Sequence, residues 1–261
     1  MLNEFEASAA LAALEWQFEM GVDEAISETP VNRYEQPKAL PKMGASSNIK
    51  PVEMPKALPV QETAAEVARL MAARCHDLEA LRNAIGVFDH CALKKGARNL
   101  VFADGNPAAR VMVIGEAPGR DEDMQGKPFV GRAGQLLDKM FAAIGLSRSG
   151  EAPEDALYIT NVMPWRPPQN REPTHDEIAM MMPFLERHIA LVNPDILVLM
   201  GNTACSAILG KKGITRLRGK WTEAFGKSVL PMFHPAALLR DGMKKRDAWA
   251  DLLALKAKLE E

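Results

Sequence analysis

Cysteine is scarce in this chain, and its three copies are widely separated. Cys75, Cys91 and Cys205 lack the paired spacing that marks a disulfide framework or a zinc site. The composition therefore excludes a small disulfide-stabilised fold, and the cysteine spacing taken alone argues against a metal site. We expect three reduced thiols, mostly buried.

Long apolar runs are also lacking. No stretch approaches the roughly 18 consecutive apolar residues that a membrane helix requires. The first residues, MLNEFEASAALAALEW, are acidic and interrupted by polar side chains, unlike a secretory leader. We therefore expect a soluble, cytoplasmic protein. Its 47% of hydrophobic residues suffices for one sizeable domain and an appendage.

A strong net charge is the third absence, since the formal value is only −2. Positive charge is nevertheless concentrated late in the chain. Residues 201–246 carry ten basic residues against two acidic ones, whereas residues 1–60 carry five against nine. Such a local excess favours contact with phosphates, although a solvated basic surface explains it equally well.

Three segments differ in their residue patterns. Residues 1–28 are predicted to hold an N-terminal helix, because apolar residues recur at helical spacing. Residues 29–61 contain six prolines and few large apolar side chains, which predicts a flexible Pro-rich linker. The linker contains PKALP twice, as a docking motif or a chance duplication. Residues 62–261 are predicted to form the main domain, which opens with a helical pattern over 63–85.

Four short apolar runs in the main domain are separated by segments with helical periodicity, notably at 131–146 and 174–192. This alternation is typical of βαβ units, and it predicts an α/β fold with a parallel sheet covered on both faces. Ligands bind such sheets beyond the carboxyl ends of the strands. The four predicted strands lie at 110–115, 157–163, 195–201 and 228–233.

Residues with chemical function follow these strands. The segments are GEAPGRDEDMQGKPF, PWRPPQNR, GNTA and HPAALLR. A set comprising a carboxylate, an aromatic ring, an amide and an imidazole can hold a planar, hydrogen-bonding ring and promote attack beside it. Each residue alone also fits a helix cap, core packing or a turn, but their joint placement favours a site. The set is Glu116, Phe129, Asn161 and His234.

Four longer motifs carry a family resemblance. They are GEAPGRDEDMQGKPFVGRAGQLLDKM, YITNVMPWRPPQNR, RGKW and PMFHPAALLR. Over roughly residues 70–258 the chain resembles the uracil-DNA glycosylase superfamily, most closely its family 4. The resemblance implies a three-layer α/β/α fold with a short central four-stranded parallel sheet. It also implies hydrolysis of the bond between uracil and deoxyribose, which leaves an abasic site in the DNA. GEAPGR lacks the GxGxxG fingerprint, so a dinucleotide-binding protein is disfavoured.

The resemblance also implies roles for the four site residues. Phe129 would stack on the flipped uracil, and Asn161 would read its Watson–Crick edge. His234 would donate a hydrogen bond to the uracil oxygen as negative charge develops there. Glu116 would orient or deprotonate the attacking water and stabilise the cationic sugar. This division fits a transition state that separates an anionic base from an oxocarbenium-like sugar.

Further residues around the first strand complete the predicted uracil-binding set. By the resemblance, Glu122 would crowd the 5-position of the base and exclude the methyl group of thymine. Gly115 and Ala117, which flank Glu116, belong to the same set. At least one of the two neighbouring acids, Asp121 and Asp123, is expected to be structural.

The segment after His234 is the predicted DNA-contacting surface. Leu238 or Leu239 would form an apolar wedge that fills the space left by the flipped base, although packing of either leucine in the core is equally plausible. Nearby cations would contact phosphates. These cations are Arg240, Lys244, Lys245 and Arg246.

The chain departs from the family in its cysteines. Family 4 members normally bind an iron–sulfur cluster through four cysteines, and of the corresponding positions only Cys91 is a cysteine here. Phe88, Trp165 and Met181 occupy the other three. Since one thiolate cannot hold a cluster, we expect no metal or cofactor, with apolar side chains filling the volume.

Two other functions remain open at this point. The first is a non-catalytic protein of the same fold that binds damaged or single-stranded DNA. The second is a polymerase-associated adaptor that recruits a protein partner through residues 1–60, a role that can coexist with catalysis. We expect a monomer whose main partner is uracil-containing DNA, single-stranded, double-stranded or both.

Overall fold

A mixed sheet lies at the centre of the described part of the protein. The computed structural model describes residues 63–261. The predicted N-terminal helix at 1–28 and the predicted linker at 29–61 therefore lie outside the described residues. The strands of the sheet are β1 (Asp104–Gly105), β2 (Val111–Gly115), β3 (Leu157–Asn161), β4 (Ile196–Met200), β5 (Thr222–Ala224) and β6 (Lys227–Met232).

The four inner strands are parallel, as the sequence predicts. From one edge to the other the order is β1, β3, β2, β4, β6, β5, and the two edge strands pair antiparallel with their neighbours. The edge strands are only two and three residues long and lack an apolar run, so the sequence pattern does not reveal them. The four-stranded parallel sheet is thus confirmed and extended to six strands.

Helices cover the sheet and connect its parallel strands. No helix within residues 63–261 is both long and apolar enough to cross a membrane. The α-helices of this region are α1 (Ala64–Ala73), α2 (Leu78–Val87), α3 (Arg120–Gln125), α4 (Arg132–Ala142), α5 (His175–Val192), α6 (Asn202–Leu209), α7 (Ile214–Leu217), α8 (Pro235–Arg240) and α9 (Lys245–Leu259).

The helical pattern at the start of the domain forms two helices instead of one. α1 begins at a capping box in which Thr63 and Glu66 hydrogen-bond reciprocally. α2 begins after Asp77, whose carboxylate accepts a hydrogen bond from the N–H of Ala80 at 2.7 Å. Asp is a strong N-cap residue because it satisfies an N–H that the helix leaves free. The cap at Asp77 therefore starts a second helix within a segment that periodicity alone predicts as one continuous helix.

Apolar side chains pack on both faces of the sheet. Along β2, Met112 and Ile114 belong to one buried cluster, and Val111 and Val113 belong to another, as side-chain alternation across a strand requires. The first cluster includes side chains of α1, α2 and α5, and the second includes side chains of α4 and α9. The protein therefore has the three α/β/α layers that the resemblance implies.

Candidate active site

A cleft of about 550 Å³ opens where the four inner strands end. The residues that follow β2, β3, β4 and β6 all contribute to its wall, as expected for a parallel sheet. The predicted site residues are thus brought together from segments far apart in sequence. Those that line the cleft are Glu116, Ala117, Glu122, Phe129, Asn161, His234 and Arg240.

Phe129 is held rigidly in the cleft wall. Its backbone has a φ of 52°, a left-handed conformation that is unusual for an aromatic residue. Its carbonyl accepts a hydrogen bond from Arg148 at 2.8 Å, and a Cβ added to Gly134 would collide with this carbonyl. The ring centroid lies 5.4 Å from that of His234, and the residue as a whole is only 5% exposed. Phe129 therefore presents a fixed aromatic surface.

Gly115 is the last residue of β2, and it makes room for two site residues at once. It pairs in register with Asn161 of β3. A Cβ added to Gly115 would lie 2.5 Å from Cζ of Phe129 and would also meet Oδ1 of Asn161. Only glycine allows this approach, so Gly115 contributes to the site by its lack of a side chain.

Asn161 is buried at the end of β3, with 6% of its surface exposed. Its side chain lines the cleft, and within residues 63–261 no protein group hydrogen-bonds to its amide. An amide offers two N–H donors and an oxygen acceptor. Asn161 is therefore available to pair with a ligand that has both donors and acceptors on one edge.

Glu116 follows β2 and lies against α6. Thr203 Oγ1 donates a hydrogen bond to its Oε2 at 2.5 Å. Burial raises the pKa of Glu116, the hydrogen bond from Thr203 lowers it, and the nearby charge of Glu172 raises it further. The net pKa lies above the ordinary value for a glutamate, which suits a group that holds or exchanges a proton.

His234 is the N-cap residue of α8, and this position determines its tautomer. Its Nδ1 accepts a hydrogen bond from the N–H of Ala236 at 3.2 Å, so the proton of the neutral ring resides on Nε2. Burial lowers the pKa of His234 to about 4; Arg240 lowers it too, and Glu122 opposes the shift. The ring is therefore neutral at pH 7 and can donate one hydrogen bond from Nε2.

Glu122 connects the start of α3 to the segment that follows Phe129. Its Oε1 accepts hydrogen bonds from the N–H groups of Val130 and Gly131 at 3.0 and 2.9 Å, and its Oε2 accepts one from Gly119 at 3.1 Å. Both oxygens are thus occupied by the backbone while the side chain lines the cleft. This arrangement stabilises the wall that carries Phe129.

Asp123 has the structural role predicted for at least one of the acids near Glu122. It is 7% exposed, and its Oδ1 accepts hydrogen bonds from the N–H groups of Arg98 and Asn99 at 2.8 and 3.2 Å. The carboxylate therefore fastens α3 to the preceding loop.

Leu238 and Leu239 differ sharply in exposure. Leu238 is 1% exposed and packs with Phe233 and Ala248. The prediction that Leu238 contacts DNA is therefore wrong, because its side chain belongs to the core. Leu239, the next residue on α8, is 43% exposed and remains available.

The basic residues predicted to contact phosphates differ in whether the protein already pairs their charge. Arg240 lines the cleft, and Lys245 and Arg246 are exposed. Lys244 pairs with Asp241 at 3.2 Å and lies 5.7 Å from the centroid of the Phe233 ring. The local positive surface therefore depends mainly on Arg240, Lys245 and Arg246.

Sequence reasoning missed Arg148 and Thr203. Arg148 donates to the carbonyls of Pro128 and Phe129 and also to Asp104 and Asp138. No sequence pattern marks Arg148. Thr203 lies in GNTA, the segment after β4, and ligands bind parallel sheets beyond the carboxyl ends of the strands. The sequence therefore predicts that Thr203 lies near the cleft, but nothing in the motif indicates its hydrogen bond to Glu116.

The four positions at which the resemblance implies cluster cysteines form an apolar group, here named the Phe88 cluster. Its members Phe88, Cys91, Trp165 and Met181 are each at most 2% exposed and pack in one core. Burial raises the pKa of the Cys91 thiol. Within residues 63–261 no group of three or more His, Cys, Asp or Glu side chains is placed to hold a metal. The residues present do not fit a cluster that needs four thiolates.

Comparison with known proteins agrees with this geometry. Residues 102–253 match the family model described as the uracil DNA glycosylase superfamily. The chain is 44% identical over 154 residues to a type-4 uracil-DNA glycosylase of Thermotoga maritima, covering 58% of this chain and 77% of that protein. It is 43% identical over 158 residues to one of Archaeoglobus fulgidus, covering 57% and 76%.

A different kind of protein also matches. The chain is 33% identical over 136 residues to a DNA polymerase of Bacillus phage SP01, which covers 52% of this chain and 14% of the polymerase. The family match spans more than half of the chain and includes Glu116, Phe129, Asn161 and His234. The chain therefore belongs to the uracil-DNA glycosylase superfamily, as a member similar to family 4.

Proposed function

We propose that this protein is a monofunctional uracil-DNA glycosylase of base excision repair. It hydrolyses the N-glycosidic bond of a uracil flipped out of DNA and leaves an abasic site. The observation that carries the proposal is one cleft that combines the Phe129 ring, the side-chain amide of Asn161, the neutral imidazole of His234 and the carboxylate of Glu116. The names of the type-4 relatives support it.

The size and depth of the cleft favour an extruded base. Its volume of about 550 Å³ suits a single nucleotide, and Phe129 and Asn161 are almost completely buried within its wall. A stacked base cannot reach such groups, so the nucleotide must leave the helix. A mispaired or single-stranded uracil costs least to extrude.

Recognition of uracil follows from two neighbouring groups. The Phe129 ring offers an apolar surface for stacking. The Asn161 amide can accept from the uracil N3–H and donate to an adjacent carbonyl oxygen. Both groups lie close to Gly115 and are almost completely buried, so the pairing requires little reorganisation.

Bond cleavage needs opposite electrostatics at the two ends of the breaking bond. The electron pair of the bond leaves with the base, and the Nε2–H of neutral His234 stabilises the resulting anion. The ionised Glu116 stabilises the positive charge on the sugar and orients water, whose oxygen bonds to C1′. The proton released by this water is taken up by Glu116 or passed to solvent.

The composition of the cleft favours hydrolysis without strand cleavage. Glycosylases that also cut DNA need an amine nucleophile to form a Schiff base. Among the described residues that line the cleft, the cations are arginines and none is a lysine. Water is therefore the nucleophile that this site can use.

The test is excision from a labelled oligonucleotide that contains one uracil, followed by alkali to cleave the abasic product. We expect cleavage by the native protein and at least a hundredfold loss for Glu116→Gln and for His234→Ala. Glu186→Gln, an exposed carboxylate on α5, is the matched control and should retain activity. Absence of cleavage on both single- and double-stranded uracil would instead favour a DNA-binding protein without catalysis.

We also propose that the protein functions without an iron–sulfur cluster. The support is the apolar packing of the Phe88 cluster around one thiol. Protein purified without oxygen should contain no stoichiometric iron and should show no broad absorbance near roughly 400 nm, the band of thiolate-bound clusters. Stoichiometric iron in the active protein would overturn the proposal.

Association with a DNA polymerase is a second candidate role, compatible with the first. The similarity to a segment of a phage DNA polymerase supports it, and residues 1–60 are the proposed contact. Deletion of residues 1–60 should abolish capture of a polymerase while leaving uracil excision intact. If capture persists after the deletion, the contact lies elsewhere.

A further inference from the structure

A single hydroxyl group holds the carboxylate of Glu116. Thr203 Oγ1 lies 2.5 Å from Oε2 of Glu116, although the two residues are 87 positions apart in the chain. Thr203 is 8% exposed, so solvent cannot readily replace this hydrogen bond. Within residues 63–261, no other protein group donates to either carboxylate oxygen.

The fold fixes the position of Thr203. β4 ends before Gly201, whose φ of 91° turns the chain sharply into α6. The N–H of Gly201 donates to the carbonyl of Met232 at 3.0 Å, which ties this turn to β6. The next residue, Asn202, accepts hydrogen bonds from the N–H groups of Gly213 and Ile214 at 3.1 and 2.8 Å. Thr203 therefore projects from a turn that is anchored on two sides.

Charged groups around the cleft do not replace this contact. Arg171 is paired with Glu177 through hydrogen bonds of 2.6 and 2.9 Å. Arg240 lies on α8 near His234 and lowers its pKa. The remaining charged side chains in the cleft wall are the carboxylates Glu122 and Glu172. Glu172 raises the pKa of Glu116 and so opposes its ionisation.

We propose that Thr203 is a positioning residue that holds Oε2 of Glu116, so that Oε1 is left to orient the attacking water. The inference rests on the proposed glycosylase function and extends it to a residue with no direct contact to the base. Since a hydrogen bond to a charged group is stronger than one to a neutral group, the same contact favours the ionised form of Glu116 against its burial.

Two consequences follow for a variant without the hydroxyl group. The water would be poorly oriented at every pH, which lowers kcat more than it changes KM. The carboxylate would also be protonated more easily, so the acidic limb of the pH profile would move to higher pH. We expect a loss of roughly tenfold in kcat/KM on the plateau, the value of one hydrogen bond to a charged group, and a larger loss below the limb.

The experiment measures kcat and KM against pH on a uracil oligonucleotide for Thr203→Val and Thr203→Ser. Thr203→Ser keeps the hydroxyl group and should restore both the plateau and the limb. Thr160→Val is the matched control, because it removes another buried threonine hydroxyl, one that donates to the carbonyl of Phe102 at 2.7 Å. It should lower stability without moving the limb.

A direct titration separates this inference from the proposed function. The Glu116 carboxyl signal, followed by NMR without DNA, should titrate at higher pH in Thr203→Val than in the native protein or Thr203→Ser. An unchanged titration and an unchanged limb in an active Thr203→Val protein would overturn the role of Thr203. A native protein without uracil excision would instead overturn the proposed function.

Discussion

The cleft and the Phe88 cluster differ in the kind of side chain that they bury. In the cleft, Glu116 and His234 are kept as titratable groups although burial shifts the pKa of each toward its neutral form. In the Phe88 cluster, Phe88, Trp165 and Met181 pack at 1%, 2% and 1% exposure. The first region therefore loses stability to keep polar groups, whereas the second contributes stability by excluding them.

Because of this difference, we expect activity and stability to depend on separate sets of residues within one domain. Substitutions in the cleft should lower activity with little or no loss of stability. Substitutions in the Phe88 cluster should lower stability while the folded protein remains active. An intact cluster site would not show this separation, because metal loss would affect the whole domain.

The largest expected effect is a loss of stability caused by a substitution in the Phe88 cluster. Phe88 packs edge-on against Phe184 with ring centroids 5.2 Å apart, so Phe88→Ala leaves a cavity and should cost about 3–5 kcal/mol of unfolding free energy. Chemical denaturation measures this loss. Uracil excision per folded molecule should stay close to native at low temperature; a proportional loss of activity would show that the two regions are coupled.

The next effect follows from a substitution at the end of β2, behind Phe129 and Asn161. Gly115→Ala would place a methyl group against Phe129 and Asn161, displacing both groups that recognise the base. We expect roughly a hundredfold loss of excision, as a displacement of about 1 Å can produce. Gly86→Ala on α2, whose added Cβ has no neighbour closer than 3.9 Å, is the control and should retain full activity.

A smaller effect is expected at the exposed leucine of α8. Leu239→Ala should reduce excision from duplex DNA severalfold more than excision from single strands, if Leu239 fills the space left by the flipped base. Leu253→Ala, with 47% exposure on α9, tests a similarly exposed leucine on another helix. Equal losses on both substrates would contradict the wedge role of Leu239.

The smallest effect is a gain of stability in an inactive variant. The pKa of Glu116 is raised on folding above its usual 4.5, so folded protein binds more protons than unfolded protein just above pH 4.5. Stability is therefore lost as pH rises through that window, and the ionised group is unfavourable at pH 7. Glu116→Gln should unfold at a slightly higher temperature than native protein at pH 7, and the difference should vanish near pH 4.

Glu186→Gln provides the comparison for this gain. Glu186 is exposed on α5, so removal of its charge should leave the melting temperature unchanged. A gain of the same size in both variants would point to net charge, not to burial of Glu116.

The sequence by itself determined the architecture and most of the site. Buried parallel strands read as apolar runs because both faces are covered, so β2, β3, β4 and β6 are visible without coordinates. The rule that ligands bind beyond the carboxyl ends of such strands then brings Glu116, Asn161 and His234 together. The absence of a cluster stays a prediction, made from the residues at the positions where the resemblance implies cysteines.

Only the tertiary structure decided which neighbours these residues have. Leu238 and Leu239 are adjacent and chemically identical, yet one faces the core and the other faces solvent, because a helix turns by about 100° per residue. The hydrogen bond from Thr203 to Glu116 joins two strand ends far apart in the chain. Periodicity and helix caps are local properties of the sequence. Contacts between distant residues depend on how the strands align in the sheet, and local sequence patterns do not predict that alignment.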